Sequence, residues 1–188
     1  MSFKVEHIFG DICVITPTVH PDSRGQFHEM FNVKELSDTV LKDQLRPIKQ
    51  INHSTSRAGV VRGMHFQKEH PQAKIVMVTK GKVIDFVQDI RPDSPTYGMS
   101  YWQLLDDTDY KILYVPRGFS HGFIALEDSD FIYFCDEVRF ANDEYGYNAR
   151  PLLEKFADEW RSTIDFDIDD VTITMSTRDV NMPYFERQ

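Results

Sequence analysis

Three residues able to do chemistry fall in one stretch, Val61–Asp89, VRGMHFQKEHPQAKIVMVTKGKVIDFVQD. It reads as a strand carrying Arg62 and His65, a short loop, a strand carrying Lys74, and a Lys80-Gly81 turn. A further strand alternates Val83, Asp85, Val87 and Asp89. Side chains two apart on a strand share a face, so a guanidinium, an imidazole and an ammonium can line one barrel mouth. Cations near an imidazole favour its neutral form, the form that accepts a proton. Such a base needs a carboxylate to set its tautomer. Asp179 and Asp85 are both candidates, and spacing does not choose between them. Tyr133, in the apolar strand FIYFCDEV, offers a proton donor on a stiffly packed ring; the ordinary alternative is a core tyrosine tied to backbone. Arg24, Arg62 and Lys74 each sit at a turn or beside a glycine, where a ligand can approach, and guanidinium groups suit phosphate oxygens.

The composition frames these groups. A chain of 188 residues with 41% hydrophobic and 27% charged content reads as one soluble globular domain able to bury its own core. The net charge of −9 argues against nucleic acid as a partner, since phosphate-backbone binding needs a basic face. It leaves room for a small anionic ligand held by a local group of cations. Cys13 and Cys135 make no disulfide framework and read as buried thiols. No stretch reads as a signal peptide or a membrane helix, so the expectation is a cytoplasmic protein with no membrane partner.

The elements that must position the groups are mostly short strands between Gly and Pro turns. Phe3–Pro17 reads as strands broken at Gly10-Asp11, and Gln26–Phe31 alternates after the turn at Pro21–Gly25. Asn32–Asp43 reads as a helix capped by Asn32, with Glu35 three residues on and apolar Leu36, Val40 and Leu41. Lys49–Ser56 is a polar strand or loop with Gln50, Asn52 and Ser54 on one face. Strands follow at Gly98–Leu105, Lys111–Val115 and Asp130–Phe140, with His121 just before an apolar run. Arg150–Arg161 has helical spacing in Leu152, Leu153, Phe156 and Trp160, at the head of a helical or irregular extension over 148–188. Ser176–Met182, with Asp179 in it, reads as surface coil or a short turn. The sum is a mainly all-β, antiparallel sandwich or barrel.

His65, Gln67 and His121 suggest a second reading, a metal held inside such a barrel. Gln67 stands where a second imidazole would be wanted and Glu69 is too near, so the expected count of metal ligands is too low and the expectation is no metal.

Four segments then carry a resemblance: DSRGQFHEMFN at 22–32, QINHSTSRAGVVRGMHFQ at 50–67, PQAKIVMVTKGKVIDFVQDIRPDSPTYG at 71–98 and LYVPRGFSHGFIAL at 113–126. Together with MSTRD at 175–179 they resemble the dTDP-4-dehydrorhamnose 3,5-epimerases and related deoxysugar epimerases. The resemblance implies a cupin-type β-barrel or jelly roll, a homodimer, no cofactor, and a nucleoside-diphospho-4-keto-6-deoxyhexose as substrate. It assigns His65 as base, Asp179 as its carboxylate partner, Tyr133 as the acid across the sugar, and Lys74 as the cation near the keto oxygen. Arg24 and Arg62 match diphosphate and sugar contacts, Gln50 and Asn52 polar binding positions, His121 a pocket support, and Glu29 a position near the nucleotide site of the dimer. This chain departs from the family after Tyr133, where the residue expected to stack on the nucleobase falls on Val138 or Arg139. The region 141–174 lacks the family's usual tryptophan-centred pattern. The nucleobase, the sugar, and inversion at C3, C5 or both stay open. The rival readings are a metal-dependent cupin enzyme and a sugar-nucleotide-binding cupin without turnover.

Overall fold

A computed structural model describes residues 2–39, 41–42 and 44–186. In chain order the first strands are β1 (Phe3–His7), β2 (Cys13–Pro17), β3 (His20–Asp22), β4 (Gly25–Phe27), β5 (Gln50–Ser56) and β6 (Val61–Gln67). They continue as β7 (Lys74–Lys80), β8 (Lys82–Asp89), β9 (Ser100–Asp106), β10 (Ile112–Val115), β11 (Phe119–Ala125), β12 (Ser129–Cys135) and β13 (Glu144–Gly146). Helices are α1 (Val33–Ser37), α2 (Arg150–Thr163) and α3 (Thr177–Val180).

Two antiparallel sheets face each other as a cupin-like jelly roll. One has the order β1-β2-β10-β7-β12-β5 and the other β13-β6-β11-β8-β9. Strand alternation divides the apolar residues into layers. Val76, Val78, Val83, Val87, Leu113, Phe123 and Phe131 fill the space between the sheets. Ile75, Met77 and Ile112 turn outward to meet Leu36 and Leu41. Ile84, Phe86 and Ile124 face outward on the other sheet, under Leu152, Leu153, Phe156 and Trp160 of α2. The helical spacing read from the sequence is therefore the face that covers this sheet.

Three local expectations change. The strand expected over 130–140 ends at Cys135. There the Asp136 carboxylate accepts the Ala73 amide at 2.8 Å, and Gln67 collects Val138 O and the Phe140 amide at 3.2 and 2.6 Å. Side chains thus replace the ladder and turn the chain over the end of the barrel. Helix α1 keeps its Asn32 cap, whose Oδ1 accepts the Glu35 amide at 3.2 Å, but stops at Ser37. With only Leu36 buried within it, little tertiary packing prolongs a helix too short to be stable alone. Val40 and Asp43 of the expected helix lie outside the described residues. Around Asp179 the chain takes the short-turn form, as the single-turn α3, but not at the surface: Asp179 is 4% exposed, with its amide donating to the capping Ser176 Oγ at 3.0 Å.

Candidate active site

A cleft of about 340 Å³ opens between the sheets, and both contribute to it. His65 enters from β6 and His121 from β11; Lys74 enters from β7, Tyr133 from β12, and Gln50, Asn52 and Ser54 from the β5 edge.

Strict alternation would put Arg62 and His65, three residues apart, on opposite faces of β6. The structure brings both to the cleft through a bulge. His121 pairs with His65 and Phe123 with Arg62, so three steps on β6 oppose two on β11. Gly63 makes this possible: its φ is +110°, and a Cβ there would lie 2.6 Å from Gly122 Cα and His121 O.

The two histidines choose different carboxylates. His65 Nε2 lies 2.7 Å from Asp179 Oδ1, while His121 Nε2 lies 3.0 and 2.8 Å from the two oxygens of Asp85. Burial alone would raise the Asp179 carboxyl, but bonds from His65, Ser176 and the Gly63 amide outweigh it and hold it below its ordinary range. An ionised carboxylate only accepts, so His65 Nε2 carries the donated hydrogen and Nδ1 keeps the basic lone pair. Deeper in, burial pushes the Asp85 carboxyl up and the His121 imidazole down, against the attraction between them. Each member of that pair is therefore harder to ionise than the same group in water.

Burial also pushes the Lys74 ammonium down, while Cys135, Asp85 and Glu144 pull it back up. It pushes the Tyr133 phenol up, aided by Cys135 and Glu144 and opposed by Arg139 and Arg62. A phenol held above its ordinary range keeps its proton at neutral pH and can donate it. Tyr133 packs at 6.0 Å between ring centroids on Phe131, which in turn stacks on Phe123 at 4.4 Å.

The polar rim is preorganised. Arg62 is held by Ser56 Oγ and Thr55 O at 3.0 and 2.9 Å. Gln50 donates to Asn52 at 2.7 Å and accepts from the Arg139 amide at 2.8 Å. Arg139 and Arg178 both grip the Glu144 carboxylate, the latter at 3.0 Å. Glu144, Arg178, Gln72 and Phe131 also line the cleft, and the sequence reading did not select them. Glu144 was hidden in an acidic run; Arg178 stood next to Asp179 in MSTRD, the one available signal.

Of the residues expected at the site, His65, Tyr133, Asp179, Lys74, Gln50, Asn52, Arg62, His121 and Arg139 line this one cleft. Arg24 and Glu29 are not among its lining residues. Arg24 is on the exposed β3–β4 turn, its side chain 88% exposed and paired with Asp22; Glu29 accepts from Asn32 at 3.2 Å beside α1. Val138 is half-exposed, and the ring nearest it in sequence, Phe140, stacks on His70 at 4.1 Å. Gln67 spends its carboxamide on His70 O, Val138 O and the Phe140 amide. Among the described residues no three His, Cys, Asp or Glu side chains are grouped to hold a metal ion.

Comparison with known proteins gives the family. Residues 6–187 match the family model described as dTDP-4-dehydrorhamnose 3,5-epimerase. The protein of that name from Mycobacterium tuberculosis is 39% identical over 175 residues, 92% of this chain and 82% of the relative. The dTDP-6-deoxy-D-glucose-3,5-epimerase of Legionella pneumophila, solved in complex with dTDP-4-keto-L-rhamnose, superposes with a TM-score of 0.82 at 27% identity, over 97% of this chain and 92% of that one. A 3'-monoepimerase from Streptomyces bikiniensis, solved in complex with dTDP-quinovose, gives a TM-score of 0.79 at 27% identity, over 95% and 87%. With its jelly roll and the motif residues gathered in one cleft, the chain belongs to the dTDP-4-dehydrorhamnose 3,5-epimerase family, a family of isomerases.

Proposed function

We propose that the protein epimerises a dTDP-linked 4-keto-6-deoxyhexose at C3 and C5 by proton transfer through an enolate. The observation that carries this is the placing of His65 and Tyr133 on different sheets of one cleft, with Lys74 between the same walls. The C4 ketone acidifies the hydrogens at C3 and C5. His65 Nδ1 takes one, and the electron pair left on carbon moves onto the C4 oxygen. Lys74 stabilises that oxyanion, a contribution of about 3 kcal/mol per donor in a water-poor site. Tyr133 returns its own proton to the same carbon from the opposite face, and exchange with solvent resets both groups. Arg62, Gln50, Asn52 and Arg139 hold the nucleotide and sugar at the rim, and His121, fixed by Asp85, supports the pocket.

Solvent deuterium uptake by 4-keto sugar nucleotides, followed by NMR, tests this. The dTDP substrate is expected to exchange at both carbons ahead of its CDP, GDP and UDP counterparts, and His65→Ala to abolish exchange. Unchanged uptake in His65→Ala removes His65 from the role of base; uptake at C3 alone makes the enzyme a monoepimerase.

The same reading covers assembly. We take the chain as one domain, 148–188 included, that works as a cytoplasmic homodimer. The support is the exposed β3–β4 hairpin, which pairs with no other strand among the described residues and carries Arg24 and Phe27, the latter 66% exposed. Among the described residues no helix is long and apolar enough to cross a membrane. If Arg24 serves a second copy's cleft, mixing Arg24→Ala with His65→Ala chains restores activity that neither has alone. A monomer by light scattering, or no restoration, refutes it.

A further inference from the structure

The carboxylate that orients His65 rides on α3, a helix of only four residues. A single turn does not hold itself in place. On the entering side, the chain is tied to the strand before the bulge by Thr174 N to Gly59 O and Val61 N to Thr174 O, both 2.9 Å. Within α3, Arg178 reaches Glu144, with Nη1 3.0 Å from its carboxylate and Nη2 donating to its carbonyl at 3.1 Å; on the leaving side a buried residue adds further ties. Asn148, 8% exposed, donates from Nδ2 to Val180 O, the last carbonyl of α3, at 2.8 Å. Its amide donates to Pro183 O at 2.9 Å. Its Oδ1 accepts the Arg150 amide at 3.0 Å, at the first turn of α2. One side chain thus joins the C-terminal end of α3 to the N-terminal end of α2, which is itself packed on the β6 sheet through Leu152, Leu153 and Phe156.

Resting on the acid–base reading above, we propose that Asn148 is a positioning residue for that reaction. It is not among the lining residues of the cleft. It acts by holding α3 so that Asp179 keeps its 2.7 Å contact with His65. The two halves of its carboxamide do different work: the oxygen serves α2 and the nitrogen serves α3. Asn148→Asp keeps an acceptor for the Arg150 amide and turns the other half into a second acceptor facing a carbonyl, so it breaks the α3 tie alone. Asn148→Ala breaks both.

The test follows kcat and KM for epimerisation together with the 15N shifts of the His65 ring and the thermal midpoint. Asn148→Asp is expected to stay folded but to melt somewhat earlier, since a carboxylate then faces the Val180 carbonyl, to keep a KM within about threefold, to lower kcat about tenfold, and to show a second His65 tautomer. A displacement of about an ångström at a catalytic group costs up to ~10²-fold. Asn148→Ala is expected to lose the same activity and to melt earlier still. If Asn148→Asp keeps one His65 tautomer, the proposal is overturned whatever happens to the rate, since a purely structural role predicts that. Loss of the fold in both variants overturns it too. If instead His65→Ala still exchanges protons, the underlying acid–base reading has failed rather than this extension of it.

Discussion

Replacing Asp179 with Asn exchanges one carboxylate oxygen for an NH2 at nearly constant volume and removes one charge. In the native chain the Asp179 carboxylate receives His65 Nε2 at 2.7 Å and also the Ser176 hydroxyl and Gly63 amide. A carboxamide has one acceptor oxygen for those donors. If the oxygen stays on His65, the ring keeps its tautomer but loses an ionic partner for the imidazolium formed as the sugar C–H bond breaks. A hydrogen bond to a charged group is worth about 1.5–3 kcal/mol, which is roughly 10- to 150-fold in rate. If the amide nitrogen turns to His65, Nε2 must accept, the basic lone pair leaves Nδ1, and the loss extends toward ~10⁴-fold. The expectation for Asp179→Asn is therefore a kcat for deuterium exchange lower by about 10- to 10⁴-fold, with KM nearly unchanged because the rim contacts stay. NMR exchange with a dTDP-4-keto sugar measures it, beside circular dichroism to show an intact fold. A kcat within about threefold of wild type would refute the pairing as the source of the base's orientation.

Lys74→Met is expected to lower exchange by about 10²–10³-fold while raising the urea midpoint at pH 7, because burial holds the native ammonium below its ordinary pKa. In the window between the folded and unfolded lysine values the unfolded chain binds more protons, so wild-type stability climbs with pH; the variant's advantage must shrink toward pH 10, and a constant gap contradicts this. Tyr133→Phe is expected to keep exchange within about threefold and to lose inversion by ~10²-fold or more, since only the donor on one face is gone; equal losses refute separate roles. Burial alone would raise the Asp89 carboxyl, but Arg91, Ser94 and Thr96 outweigh it and hold it at about 2. Against an unfolded value of ~3.9 the full linkage is roughly 2.6 kcal/mol, and about half that after screening at Arg91, whose side chain is 32% exposed. This stability is present above pH 4 and is lost as pH falls toward 2. Asp89→Asn should flatten the urea midpoint over that window, and an unchanged slope contradicts the assignment.

By itself the sequence determined the β architecture and the polar face of Gln50, Asn52 and Ser54. Those are period-two facts, and alternation along a strand is local. It also determined the family, through ordered motifs that need no geometry. It did not determine which carboxylate serves which histidine, because Asp85 and Asp179 meet His121 and His65 only after sheets and C-terminal segment have packed. The reading that puts Arg62 and His65 at one mouth does not follow from alternation, since they are three apart; it rests on a bulge that breaks the alternation used to read the strands. Glu144, Arg178 and the buried setting of Asp179 were missed for the same reason: each acquires its surroundings from chain far away in sequence. Strand periodicity is a property of neighbours; a cleft is a property of distant residues that the closed barrel makes adjacent.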